Sequence, residues 1–277
     1  MPPITHITPV PQCQDLFYAT NNPYQVSGPR GFTEFKYMEE TTDLFVRIDF
    51  PGVTKESVEI FVESKMKKAV FVFGEAPNEP AHEPSVRKFG ASTGLVCDCC
   101  KISNVQCYLG DGVLRLILSK ERINLHGPSS CSYHLIQGYN PEVAGGHPFA
   151  HLRGHIPQGY RGTDPLDPAF TGPVIIPHPS VVEGPSSAYE AKQLSDGGLF
   201  LRIDMPGVPN DQFTVAVESD GCVTVIGRAP QAIYDSSGRE YRGKVAIVPR
   251  GYDDRRIKVI AKRGVIRLII PPFEDMP

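Results

Sequence analysis

The sequence contains one stretch twice: Leu44-Phe45-Val46-Arg47-Ile48-Asp49-Phe50-Pro51-Gly52-Val53 and Leu199-Phe200-Leu201-Arg202-Ile203-Asp204-Met205-Pro206-Gly207-Val208. The copies differ only by apolar exchanges, Val46 for Leu201 and Phe50 for Met205. In both, Leu, Val or Leu, and Ile alternate with Phe, Arg and Asp, the period-2 pattern of a strand with two unlike faces. Pro-Gly then ends the strand, because proline cannot donate to a ladder and glycine accepts turn geometry. A separation of 155 residues (199 minus 44) is too long for a solenoid repeat and suits two small domains in tandem.

Outward from this stretch the two halves keep the same order. Val58, Ile60 and Val62 alternate with Glu59, Phe61 and Glu63, as Phe213, Val215 and Val217 alternate with polar or small residues. Ala69 to Phe73 closes in Gly74, and Cys222 to Ile226 closes in Gly227. Gly112-Val113-Leu114-Arg115-Leu116 returns as Gly264-Val265-Ile266-Arg267-Leu268. Short strands, abundant turn residues and no helical periodicity make the expected class all-β, with two immunoglobulin-like β-sandwiches. The boundaries read as an irregular arm at 1–30, a first sandwich at 31–120, a linker at 121–187 and a second sandwich at 188–273. Over residues 121–190 lie ten prolines, nine glycines and six of the eight histidines, a composition that builds no core of its own.

Composition narrows the function classes. In 277 residues, 40% hydrophobic and 21% charged content is that of a globular chain. A net charge of −3 gives no electrostatic case for direct nucleic-acid binding. No run approaches the ~20 apolar residues of a membrane span, and the first residues lack a signal-peptide pattern. Seven cysteines without disulfide-like spacing fit a reducing compartment, so the expected location is cytoplasmic, nuclear or both.

The series Asp-x-Pro-Gly-Val, Val-x-Val, a strand closing in Gly, and Gly-Val-Leu/Ile resembles the α-crystallin domain of small heat-shock proteins. The second half is the better match: Ile247-Val248-Pro249, Asp254 to Ile257, Ala261 and Gly264-Val265-Ile266 follow the family pattern, and Arg242 stands at the family-type arginine. The first half departs from it, with Cys97 at the proline position and only Arg87 and Lys88, displaced, for the arginine. The resemblance spans residues 35–120 and 189–272. Two further departures are a short loop between Gly227 and Tyr241, where plant and microbial members exchange a strand, and only seven residues after Ile270, where a docking tail is expected. Duplicated, divergent domains of this kind are similar to the plant proteins named for an increased-DNA-methylation phenotype, which act as scaffolds in nuclear chromatin complexes.

The resemblance implies a peptide groove between edge strands, lined by Val58, Ile60, Val62, Val105 and Cys107 in one half and by Phe213, Val215, Val217, Ile257 and Val259 in the other. Membership of the sandwich core is the competing reading of each residue. Outside the domains, Pro173-Val174-Ile175-Ile176-Pro177 carries Val174 and Ile176 in a docking pattern, with an ordinary linker triplet as the alternative. Cys97-Asp98-Cys99-Cys100 with Cys107 admits a zinc reading, against which Cys97 and Cys107 occupy apolar strand positions. Asp49 and Asp204 read as turn caps, and Arg47, Arg202, Arg115 and Arg267 as a solvated sheet face. No nucleophile, phosphate loop or metalloprotease motif is present, so neither an enzyme nor a cofactor is expected.

Two functions remain open on this reading. One is ATP-independent, chaperone-like binding of partly unfolded proteins through hydrophobic strand grooves. The other is a specific scaffold in a nuclear anti-DNA-methylation complex, with a metal-binding protein as the distant third. Partners are expected to be proteins, self-association among them, with neither direct nucleic acid nor membrane.

Overall fold

A computed structural model describes residues 22–123 and 178–272, apart from 23, 29–31, 39–40, 42, 80, 96–98, 179, 220–221 and 247–252. In chain order the strands are β1 (Gln25–Ser27), β2 (Thr33–Tyr37), β3 (Leu44–Asp49), β4 (Glu59–Val62), β5 (Ala69–Ala76), β6 (Arg87–Gly94), β7 (Cys100–Gly110) and β8 (Val113–Arg122). The second half supplies β9 (Val181–Glu183), β10 (Tyr189–Gln193), β11 (Leu199–Asp204), β12 (Phe213–Val217), β13 (Cys222–Ala229), β14 (Arg239–Ala246), β15 (Lys258–Lys262) and β16 (Val265–Ile270).

Four four-stranded sheets result, in the orders β2-β3-β8-β7, β4-β5-β6-β9, β10-β11-β16-β15 and β1-β14-β13-β12. The first two enclose a core built on Val46, Ile48, Val70, Val72, Phe89, Leu114 and Leu116. The other two enclose Leu201, Ile203, Val223, Val225, Tyr241, Ile266 and Leu268. The fold is therefore all-β, two sandwiches in tandem as the alternation around Leu44 and Leu199 predicts, and of the α-crystallin type that the motif resemblance implies.

The edges hold a feature the sequence reading lacked. β1, from the arm read as irregular, pairs antiparallel with β14 of the second half. β9, inside the stretch read as linker, pairs antiparallel with β6 of the first half. Arg242 N–H donates to Tyr24 O at 2.6 Å, and at the equivalent place Gly90 N–H donates to Ser180 O at 2.7 Å. Each half thus lends its leading strand to the other, and two otherwise unpaired edges are satisfied within one chain.

Candidate functional site

Three layers of interaction hold the exchanged halves, and the principal contacts of each occur twice. The Pro-Gly turns form the first. Gly52 N–H donates to Arg263 O at 2.9 Å and Gly207 N–H to Asp111 O at 2.7 Å, so the turn of each half rests on a hairpin tip of the other. Gly112 and Gly264, in those tips, take φ of +70° and +68°. A Cβ on either would stand 2.4 Å from a carbonyl oxygen of the opposite tip, which explains the glycines on both counts.

Rings form the second layer. Phe45 lies 5.7 Å from the Tyr234 ring, and His82 stacks on Phe200 at 5.5 Å. His178 sits between Phe32 and Phe89, with centroid separations of 5.0 and 5.4 Å. Burial pulls the His178 pKa down to about 4, so the ring is neutral near pH 7.

Ion clusters form the third layer, and they correct the sequence reading. Asp49 and Asp204 are not turn caps. Asp49 accepts from Arg47 at 2.6 Å and from Arg239, of the other half, at 3.0 Å. Asp204 accepts both Arg87 nitrogens, at 2.6 and 3.0 Å, again from the other half. Arg47, Arg202 and Arg267 are buried and Arg115 is nearly so; none forms a solvated face. Arg115 grips Asp235 through two bonds of 2.8 and 2.6 Å, while Arg267 reaches Glu83 at 3.0 Å. Burial lowers the pKa of Arg47 and of Arg202. For Arg239 burial acts the same way, but the Asp49 carboxylate and Tyr241 outweigh it and hold its pKa above the ordinary arginine value. Glu83 and Asp235 come from equivalent loops, β5 to β6 and β13 to β14. The strands that are exchanged, β1 and β9, precede the two halves, and the short stretch between β13 and β14 supplies Asp235 to the interface without a strand of its own.

At the opposite edges the exchange leaves β4 with β7, and β12 with β15, at the ends of their sheets. Val58, Ile60, Val105 and Cys107 are half-buried against the first core, and Phe213, Val215 and Ile257 against the second. Val62, Val217 and Val259 are exposed. These residues form a row at each edge whose inner members touch the core and whose outer members meet solvent, a shape open to an added apolar segment. Burial raises the Cys107 pKa, and Lys55, ahead of β4, offsets part of that.

The other expected positions are scattered. Arg242 is exposed on β14, whereas Arg239, three residues earlier, is the buried arginine. Cys99 and Cys100 lie in the first core with their sulfurs 3.7 Å apart. Cys97 lies outside the described residues, as do Val174, Ile176 and Ile247-Val248-Pro249. Among the described residues, no group of three or more His, Cys, Asp or Glu is placed to hold a metal ion. The ion clusters were missed, although the sequence held a signal for them: Glu83-x-x-x-Arg87 and Asp235-x-x-x-Arg239 repeat at equivalent places.

The family model described as "Predicted plant small heat shock protein" matches residues 4–273. A 57 kDa heat shock protein of Arabidopsis thaliana is 54% identical over 297 residues, covering 85% of this chain and 56% of that protein. The chain therefore spans little more than half the length of that relative. A 14.7 kDa heat shock protein of the same plant is 27% identical over 88 residues, covering 32% of this chain and 66% of the relative. Among solved structures, heat shock protein 16.0 from Schizosaccharomyces pombe is similar at 18% identity and a TM-score of 0.27, over 34% of this chain and 79% of that one. The duplicated Asp-x-Pro-Gly-Val signature, the paired sandwiches and a family match along nearly the whole chain make this protein a member of the predicted plant small heat shock protein family.

Proposed function

We propose that the chain is a non-enzymatic, ATP-independent binder of other proteins that takes extended apolar segments along its two edge grooves. The observation that supports this reading is the row of half-buried and exposed aliphatic side chains at β4 and β7, repeated at β12 and β15. An added strand there gains main-chain hydrogen bonds from the edge and side-chain burial from the row. Segments with the Val174-x-Ile176 pattern, whether from this chain or another, have the right spacing for alternate pockets. The test is suppression of aggregation of a heat-labile enzyme without ATP. Val62→Lys, Val217→Lys and Val259→Glu alter exposed positions and leave the cores intact, so loss of protection with unchanged circular dichroism is the expected result. Full protection by the triple variant overturns the groove assignment.

A dedicated scaffold in a cytoplasmic or nuclear complex is the second reading. It is favoured by the exchange itself, which completes within one chain what is otherwise a contact between chains. Affinity capture from plant tissue distinguishes the two: a fixed set of stoichiometric partners supports the scaffold, a broad heat-dependent set the chaperone.

A further inference from the structure

Outside the grooves, the two outward sheet faces are unlike in a way the duplication does not require. In β4-β5-β6-β9 the inward residues are Val70, Val72, Phe89 and Ala91, so the alternation turns Phe61, Phe71 and Phe73 outward, and Val182 is exposed beside them. Phe61, Phe73 and Val182 are 53%, 42% and 66% exposed, and the two phenyl rings meet edge-on at 6.1 Å. Val182 and the Phe73 ring close over Gly90, where a Cβ would lie 3.2 Å from Val182 and 3.3 Å from Phe73, so the patch is continuous across the strand. An open antiparallel face is ordinarily polar, and a contiguous apolar patch marks an interaction surface. Glu59 and Glu75 border this one.

The equivalent face of β1-β14-β13-β12 has Ala216, Thr224, Ile226 and Val26 in place of the rings and Val182, and Arg242 in place of Gly90. The paired residues Glu75 and Lys88 become Arg228 and Glu240, and Ser92 becomes Lys244. Lys88 on the first face is held by Glu183 at 2.7 Å, and Glu240 on the second lies 3.6 Å from Arg228, so the first face keeps rings with a surplus of carboxylates and the second a surplus of cationic groups. We propose that the first face of one molecule binds the second face of another copy, with Arg242 lying over the exposed Phe61 and Phe73 rings and Arg228 facing the Glu59 and Glu75 border. Rings and carboxylates both attract the arginines, whereas like faces would set glutamate against glutamate or arginine against arginine. Such a contact is heterologous, so it yields either a closed ring or an open chain of copies. It is independent of the grooves, which lie at the sheet edges.

Light scattering of the full chain over about a hundredfold range of concentration tests this. The mass is expected to rise with concentration. Phe61→Ser with Phe73→Ser, on one face, or Arg228→Glu with Arg242→Glu, on the other, holds it at one chain, with unchanged circular dichroism. The decisive arm mixes the Arg228→Glu, Arg242→Glu chain with the Phe61→Ser, Phe73→Ser chain, a pair that retains one intact contact and sets glutamate against glutamate at the other. Each alone stays single, and together they form a one-to-one complex that grows no further. A wild-type mass constant at one chain overturns the proposal, as does association that survives both pairs of substitutions or an inert mixture. Protection of the Phe73 region in a strictly single chain also overturns it, by giving the face to another segment of the same molecule.

Discussion

Arg239 donates to Asp49 at 3.0 Å across 190 residues of sequence, and Arg87 repeats that bond to Asp204 at 2.6 Å in the reverse direction. These two pairs make the Arg-Ile-Asp-x-Pro-Gly repeat intelligible. Its aspartate binds an arginine of the other half, and its glycine binds a hairpin tip of the other half. The element occurs twice because the interface it builds has two equivalent sides.

Removing one partner of a buried pair strands the other charge, at a cost of about 3–5 kcal/mol. Arg239→Met and Arg87→Met are each expected to lower stability by that order in urea titration. Combining Arg239→Met with Asp49→Asn should cost less than the sum of the two single losses, because each substitution alone already breaks the same bond. Strict additivity of the two substitutions contradicts direct coupling.

The His178 pKa, lowered by burial to about 4 from 6.5, sets a pH dependence. Between these values the unfolded chain binds a proton that the folded chain refuses, so stability is complete above about pH 6.5 and falls towards pH 4. The full effect is of order 3 kcal/mol. His178→Phe should flatten this part of the stability profile, measured as the urea midpoint against pH. A profile unchanged by the substitution contradicts the assignment.

The facing hairpin tips predict a contrast among glycines. Gly112→Ala puts a Cβ within 2.4 Å of Arg263 O at a φ of +70°, and a loss of about 1–3 kcal/mol is expected. Gly110→Ala, two residues earlier, meets nothing within 4 Å and should stay within about 0.5 kcal/mol. Thermal unfolding of the two variants side by side checks the difference.

Gly243 lies under the Tyr24 ring, and a Cβ there would stand 2.6 Å from it. Gly243→Val is expected to displace Tyr24 and loosen β1 from β14 while leaving β9 on β6. Hydrogen exchange should then accelerate at Arg242 and not at Gly90. Equal acceleration at both would mean that the two exchanged strands open as one unit.

The cores were legible because Leu44, Val46 and Ile48, and their counterparts from Leu199, follow the strand period without interruption. The ion clusters were not, for a physical reason. Alternation assigns the second face of a strand to solvent, yet all six residues of β3 are buried, because the other half covers that face. Charges at Arg47 and Asp49 therefore read as exposed when they are the centre of an interface. β1 and β9 escaped for want of length: three residues hold no period, and the edges they complete lie more than 90 residues away in sequence. In the grooves the residue types were legible, but their division into core-touching and exposed members, such as Ile60 and Val62, was not.

Reciprocal strand exchange within one chain is measured most directly by hydrogen exchange at the Arg242 and Gly90 amides. Both donate to the borrowed strand, Arg242 to Tyr24 O and Gly90 to Ser180 O. Slow exchange at both, unchanged on dilution, is the predicted result, because pairing within a chain does not depend on concentration. Exchange at the rate of open edge amides, or protection that disappears on dilution, would contradict it.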